Sequence, residues 1–270
     1  MADINQKIGQ LISSVAQLDK VQAIGQSGDI SVEPQPGESD IDIFVFCDQI
    51  PSLEERKGQY EKNGSLYQSC AMQVCAGGEW GTGDILMVGG VESMFMYFTI
   101  DDTRHDVEEI LAGRQLDSRR GYYPIGRCAT LRQLHVWYDA AGFLAEMKKL
   151  LADYPDDLAV MQIGFHLEKT YDREDFGRAV RRQDVLFYHQ VLECALDHYL
   201  QTLYALNRVY FPSRKRTQQA LDQFQNKPEH CYARLLEAIR LGSSPEGIEQ
   251  SHTVWCGLVD DLEQLCSGFM

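Results

Sequence analysis

Residues 24–46 read IGQSGDISVEPQPGESDIDIFVF, and this stretch decides how the first half of the chain is interpreted. One apolar segment ends near Gly25, a loop rich in glycine and proline follows, and a second apolar segment begins at Asp40. Side chains alternate between the two faces of a strand, so Asp40 and Asp42 share one face and the intervening isoleucines share the other. The pattern predicts an apolar strand that carries two neighbouring carboxylates.

The spacing of Asp40 and Asp42 is the first functional signal. Two like charges held this close repel each other unless a cation or hydrogen-bond donors compensate. A hard divalent cation, Mg²⁺ or Mn²⁺, is the simplest compensation, and Mg²⁺ bound by one or two carboxylates usually completes its shell with water and substrate phosphates. The pair is therefore predicted to hold a metal ion with a nucleotide. The alternative is a strand that merely begins with a solvated polar face.

The segment before the loop gives a second signal. Gly25 and Ser27 lie at the exit of a strand predicted over residues 21–24, where a missing side chain lets a phosphate approach backbone N–H groups and a hydroxyl can donate to it. The combination of Gly-x-Ser, a loop and Ser-Asp-Ile-Asp-Ile resembles the signature of the nucleotidyltransferase superfamily, which includes DNA polymerase β and the antibiotic nucleotidyltransferases. The resemblance implies that Gly25 and Ser27 bind the triphosphate, and that Asp40 and Asp42 are catalytic metal ligands.

One position departs from the superfamily pattern, although residues 79–111 and 200–216 are also similar to segments of bacterial relatives. In the superfamily a third carboxylate positions a metal ion or acts as the base, and Met94 occupies its place in the predicted register. Glu92 lies two residues earlier on the same strand face and replaces it as a metal ligand if the strand is shifted. Otherwise the site is weakened or non-catalytic. Lys215 is the candidate cation for the triphosphate, and the alternative is that its basic segment only solvates a helix start.

The predicted fold class is α+β. The first half alternates helix and strand, whereas the second half keeps apolar residues at helical spacing, apart from one strand expected in the segment LHVWYD. The resemblance implies a nucleotidyltransferase-like domain with a mixed sheet at residues 1–125 and a helical domain at residues 126–270. Tyr199, Tyr204, Tyr210 and Phe211 are predicted to lie in the core of the helical domain.

The resemblance implies transfer of a nucleotidyl group from ATP, or another nucleoside triphosphate, to a hydroxyl of a small-molecule acceptor. A degenerate family member that binds nucleotide for regulation or contacts another protein is the alternative favoured by Met94. A glycosyltransferase, in which Asp-x-Asp holds Mn²⁺ and a nucleotide sugar, is a third interpretation. No sequence feature identifies the acceptor. The oligomeric state is not determined by the sequence, and a homodimer is one possibility.

The amino-acid composition bears on which classes of molecule the protein binds. The 270 residues include 40 Asp and Glu against 25 Lys and Arg, a net charge of −15, which disfavours nucleic acid and anionic membranes as partners. The closest of the eight cysteines, Cys70 and Cys75, lack the spacing of a zinc or redox motif. The N-terminal segment lacks the basic and apolar regions of a signal peptide. The expected setting is cytoplasmic, with reduced thiols.

Overall fold

The computed structural model describes residues 4–118 and 121–268. The strands in these residues are β1 (Val21–Gln26), β2 (Asp40–Cys47), β3 (Ser69–Ala76), β4 (Thr82–Val88), β5 (Val91–Thr99) and β6 (His135–Asp139). The α-helices are α1 (Ile4–Val15), α2 (Leu53–Glu61), α3 (Ile100–Leu111), α4 (Pro124–Gln133), α5 (Phe143–Leu150), α6 (Asp156–Leu167), α7 (Arg173–Arg182), α8 (Val185–Leu206), α9 (Thr217–Gln223), α10 (Cys231–Leu241) and α11 (Ile248–Ser267). The predicted α+β class is confirmed.

The sheet is mixed, with the strand order β3-β4-β5-β2-β1-β6. Only β2 and β5 run parallel among these neighbouring pairs of the described chain, and the other pairs are antiparallel. Gly89 and Gly90 form the two-residue turn between β4 and β5, and both have positive φ, which the favoured hairpin turns require. β2 therefore lies inside the sheet with a partner on each side.

One face of β2 is buried beneath α1 and α2. The side chains of Ile41, Ile43 and Val45 are at most 3% exposed and belong to one apolar cluster with residues of both helices. The apolar positions of α1 recur at helical spacing, which directs Ile8, Leu11, Ile12 and Val15 toward this cluster. Each fully buried side chain of this kind stabilises the fold by about 1.5–3 kcal/mol.

The opposite face of β2 is covered only along its later half. Phe44 packs beside Phe98 of β5, with ring centroids 6.1 Å apart, and Phe46 packs against Phe143 of α5 at 5.1 Å. The earlier half of this face carries the acidic pair. The later half of β2 is therefore apolar on both faces. Its two acidic residues lie in the earlier half, where this face is not covered.

The contacts between residues divide the chain into two compact units. The first comprises residues 1–109 and 130–152, and the second comprises residues 110–129 and 153–270. The strand expected in LHVWYD is β6, which pairs with β1 and so belongs to the first unit. The two domains predicted from the sequence, residues 1–125 and 126–270, stay a prediction.

The second unit is helical, and aspartate side chains cap the first turns of two of its helices. Asp172 accepts hydrogen bonds from backbone N–H groups at the start of α7, and Asp184 does so at the start of α8. The predicted core aromatic residues are each at most 2% exposed, which confirms their place: Tyr199, Tyr204, Tyr210 and Phe211. Within the described ranges, no helix combines the length and hydropathy needed to cross a bilayer.

Candidate active site

The pairing of β2 with β5 brings the predicted acidic residues together on one sheet face. Asp40 pairs with Glu92, and Asp42 pairs with Met94, in a parallel register without a bulge. Paired residues of neighbouring strands point to the same face, so Glu92 lies beside Asp40 and Met94 lies beside Asp42. The strand is not shifted, and the pair that contains Glu92 is therefore two residues before the pair that contains Asp42.

The exposure of these side chains suits a ligand that binds from solvent. Asp40 and Glu92 are exposed, while Asp42 and Met94 are half-buried. Two carboxylates with oxygen donors on one face match the ligand chemistry of Mg²⁺, which needs only one or two such groups. In residues 4–118 and 121–268, however, no three acidic, histidine or cysteine side chains are grouped so that they could hold a metal ion. The pair fits Mg²⁺, but it is not a three-carboxylate centre.

Ser27 lies directly across from Asp42. Its backbone N–H donates to the Asp42 carbonyl oxygen at 3.0 Å, which extends the ladder between β1 and β2 by one residue beyond Gln26. Ser27 is half-buried, and the chain leaves the sheet immediately after it. The sheet thus brings the Gly-x-Ser segment and the acidic pair together at one place.

The loop between β1 and β2 is ordered by its own polar groups. Asp29 accepts hydrogen bonds from the Ser31 hydroxyl at 2.6 Å and from the Ser31 backbone N–H at 2.9 Å, and these bonds lower the pKa of Asp29. Glu33 accepts from the Ile4 backbone N–H at 3.1 Å and from Asn5 Nδ2 at 3.2 Å, which ties the loop to α1. The loop therefore has a defined path beside the candidate site.

Gly25 has a packing role that the sequence does not reveal. It lies within β1, between β2 and β6, and pairs with Phe44 on one side and Val136 on the other. A Cβ atom at this position would lie 2.8 Å from Leu134 Cδ1. Leu134 thus leaves little room for a side chain at position 25. Phosphate binding at Gly25 stays a prediction.

Replacing Gly25 with alanine is expected to lower the free energy of unfolding by about 1–3 kcal/mol, because the added methyl group overpacks against Leu134. Urea unfolding followed by circular dichroism measures the loss. The control is Gly58→Ala in α2, where the added Cβ meets nothing within 4 Å and alanine favours the helix. Equal stability of the Gly25 variant and the parent protein would contradict the packing role.

Lys215 lies in the second unit, in an exposed turn before α9. Its neighbour Arg214 is structural: Nε donates to Asp197 Oδ1 at 2.5 Å, and the Tyr123 hydroxyl donates to the same oxygen at 2.6 Å. Burial, followed by the bond to Asp197, raises the pKa of Tyr123 to about 12. The ammonium group of Lys215 has no ion-pair partner among the described residues. Its role toward a triphosphate stays a prediction.

Arg178 and His166 of the helical unit have structural partners. Arg178 forms ion pairs with Glu174 and Asp175 on its own helix, as a solvated helix face does. His166 is fully buried, and its Nδ1 lies 2.8 Å from Nδ1 of His198. Burial lowers the pKa of His166 to about 3. These groups are not assigned to catalysis.

Sequence reasoning missed two tertiary contacts because each joins residues from distant segments. Leu134 fills the space at Gly25 from more than 100 residues away. Asp84, inside β4, forms a buried ion pair with Arg56 of α2. The only local sequence signal for the ion pair of Asp84 with Arg56 was a carboxylate within the apolar run of β4.

Comparisons with known proteins agree with the fold. Residues 123–216 match a family model described as a domain of unknown function, DUF4037. No curated protein matches the chain. The chain is similar to the crystal structure of a nucleotidyltransferase-like protein from Exiguobacterium sibiricum, with 12% identity and a TM-score of 0.50, over 97% of this chain and 75% of that one. At this identity the similarity shows the fold alone, and the expected nucleotidyltransferase-like fold is confirmed.

Proposed function

We propose that this protein is a cytoplasmic nucleotidyltransferase that binds ATP, or another nucleoside triphosphate, with Mg²⁺ or Mn²⁺ and modifies a hydroxyl of a small molecule. The observation that carries the proposal is the register of three adjoining strands. Ser27, the residue after β1, lies opposite Asp42 of β2, and Asp40 shares the face of Asp42. The nucleotidyltransferase-like fold supports the same reaction class.

In the proposed reaction the acceptor oxygen forms a bond to the α-phosphorus, the bond to the bridging oxygen of the β-phosphate breaks, and pyrophosphate leaves. Asp40 and Asp42 would supply oxygen ligands to the divalent ion, which neutralises charge on the phosphate oxygens when bound. The Ser27 hydroxyl would donate to a phosphate oxygen. The net charge of −15 supports a small acceptor over a polynucleotide.

The acceptor hydroxyl must also lose a proton. Glu92 is the candidate base in this chain because it is an exposed carboxylate on the same sheet face, next to Asp40. Met94, beside Asp42, has a thioether that can neither take a proton nor carry charge. The candidate base therefore lies two residues before the position that the superfamily resemblance implies.

The pairing of Asp42 with Met94 also favours a second candidate function, regulation by bound nucleotide without transfer. The two candidates make different predictions for a single assay. With α-phosphate-labelled ATP, Mg²⁺ and a panel of hydroxyl compounds, transfer of label supports the enzyme. Mg²⁺-dependent binding without transfer supports the regulatory protein. A nucleotide-sugar donor in the same assay tests a glycosyltransferase.

Replacing Asp42 with asparagine is expected to reduce label transfer by about 100-fold or more, because the metal loses an anionic ligand and charge on the phosphates is left uncompensated. Asp40→Asn should act in the same direction. Both variants should also weaken Mg²⁺-dependent nucleotide binding, measured by isothermal titration calorimetry.

The matched control is Asp48→Asn, which removes an exposed carboxylate just beyond the other end of β2, where it accepts a hydrogen bond from Gln22. This variant should transfer label at the rate of the parent protein. If the Asp42 and Asp48 variants bind nucleotide equally well in Mg²⁺, the assignment of the acidic pair is wrong.

A further inference from the structure

Three side chains with metal-binding atoms meet in the helical unit, at residues to which the proposed reaction gives no role. His252 Nε2 lies 3.0 Å from the Tyr171 hydroxyl and 3.5 Å from Cys256 Sγ. His252 and Cys256 are four residues apart on α11 and therefore project from the same face of the helix. Tyr171 comes from the segment before α7. We call these three side chains the Tyr-His-Cys cluster.

The His252 ring is oriented by aromatic neighbours. Its centroid lies 5.7 Å from the Tyr171 ring and 5.7 Å from the Phe176 ring, and Phe176 is fully buried. The three members of the cluster are themselves only half-buried. Tyr171 also lines a cavity of about 610 Å³. The ligand atoms are thus held in place and can be reached from solvent.

The two distances from His252 Nε2 to the other members of the cluster are close to those between ligands of a tetrahedral zinc ion. With Zn–N near 2.0–2.1 Å and Zn–S near 2.3 Å, two corners of a tetrahedron lie about 3.5 Å apart. The observed separation of His252 Nε2 and Cys256 Sγ is 3.5 Å. The Tyr171 oxygen lies 3.0 Å from the same nitrogen, close to the roughly 3.3 Å expected for a nitrogen and an oxygen ligand.

Burial acts differently on the three groups: it disfavours the charged imidazolium of His252, and it also disfavours the anionic forms of the Cys256 thiol and the Tyr171 phenol. Burial lowers the pKa of His252, and a metal ligand must be the neutral imidazole. Burial also raises the pKa of Cys256, so binding must release the thiol proton. Asp260, one helical turn after Cys256, adds negative charge, and Arg173 near Tyr171 opposes it.

We propose that His252, Cys256 and Tyr171 form a binding site for a borderline-soft divalent cation of the Zn²⁺ class. Thiolate and imidazole ligands select zinc and its relatives over Mg²⁺, so this site is chemically distinct from the acidic pair. In the described ranges no third histidine, cysteine or acidic side chain joins His252 and Cys256. A water molecule or an external ligand then completes the tetrahedron, as in open zinc sites.

The test uses the reduced full-length protein and Co²⁺, which reports thiolate ligation as a charge-transfer band in the near ultraviolet. Co²⁺ should produce this band and release protons, and Zn²⁺ should remove the band by displacement. Cys256→Ser should abolish it. His252→Gln and Tyr171→Phe should each weaken Co²⁺ affinity, by about tenfold or more for the histidine and up to about tenfold for the tyrosine.

Cys194→Ser is the matched control. Cys194 and His198 have the same four-residue spacing on α8, but Cys194 is exposed and His198 Nδ1 is hydrogen-bonded to His166. This variant should keep the band. A band that persists without Cys256, or that requires Cys194, would overturn the proposal.

A second measurement needs no variant, so a failure of Cys256→Ser to fold would not obscure the result. Zn²⁺ should slow alkylation of Cys256 in the unmodified protein while leaving Cys194 unaffected, as read by mass spectrometry of peptides. Equal alkylation rates of Cys256 with and without Zn²⁺ would also overturn the proposal.

Discussion

Replacing Asp84 with alanine is expected to lower the free energy of unfolding by about 3–5 kcal/mol, the usual cost of breaking a buried ion pair on one side. Asp84 is 0% exposed and Arg56 is 3% exposed. Two guanidinium nitrogens of Arg56 donate to the carboxylate, Nε at 2.7 Å and Nη2 at 3.3 Å. Without Asp84, the guanidinium would remain buried with no anionic partner in this network.

The loss of Asp84 would also affect a bulge in β3. The Gln73 backbone N–H donates to Asp84 Oδ1 at 2.8 Å, and Gln73 has a φ of 55° where the pairing of β3 with β4 shifts. Tyr60 donates to Asp84 at 3.3 Å, and its hydroxyl lies 2.7 Å from that of Tyr97. One carboxylate therefore connects a helix, two strands and a strained backbone position.

Urea unfolding measures the effect of Asp84→Ala. The control is Glu61→Ala, which breaks an exposed ion pair with Lys57 and should change stability by less than about 1 kcal/mol. Replacing Arg56 with methionine and Asp84 with leucine together should cost less than Asp84→Ala alone, because no charge is then left buried. A cost for Asp84→Ala no larger than that for Glu61→Ala would show that the network does not stabilise the fold.

The elements that the sequence predicted well have strong local periodicity. β2 could be predicted because aspartate and isoleucine alternate with period two from its first residue. Gly89 and Gly90 marked a turn because only glycine readily supplies two successive positive φ angles. The placement of Met94 beside Asp42 was also predicted, but it followed from the superfamily resemblance and not from a local period, since β5 is apolar on both faces around Met94.

The missed features depend on residues far apart in sequence. Arg56 and Asp84 are 28 residues apart, and Tyr171 and His252 are 81 residues apart. Helix and strand periodicity relates only residues within one segment. It therefore cannot predict contacts between residues this far apart in the sequence. Leu134 likewise reaches Gly25 only because β6 returns to pair with β1. Tertiary pairing, not local propensity, decides these positions.

The pairing of Asp42 with Met94 leads to a prediction about gain of activity. Replacing Met94 with aspartate is expected to raise label transfer from ATP by about 100-fold, within the range that a positioned base or carboxylate contributes. The new carboxylate would lie beside Asp42 on the same face, where a third acidic ligand or base is otherwise missing. Because it adds like charge, the variant should also gain more thermal stability from Mg²⁺ than the parent protein does.

Met94→Asn separates the effect of charge from that of shape, because asparagine has nearly the size of aspartate but neither its charge nor its basicity. This variant should transfer label no faster than the parent protein. Glu92→Gln tests the base that the parent chain would use: this change should reduce transfer by about 100-fold, and Met94→Asp should restore transfer in the same chain. If Met94→Asp and Met94→Asn bind nucleotide in Mg²⁺ and neither transfers label, the missing carboxylate is not what limits the chemistry. Nucleotide binding for regulation would then be the better account of a face where Asp42 lies beside a methionine.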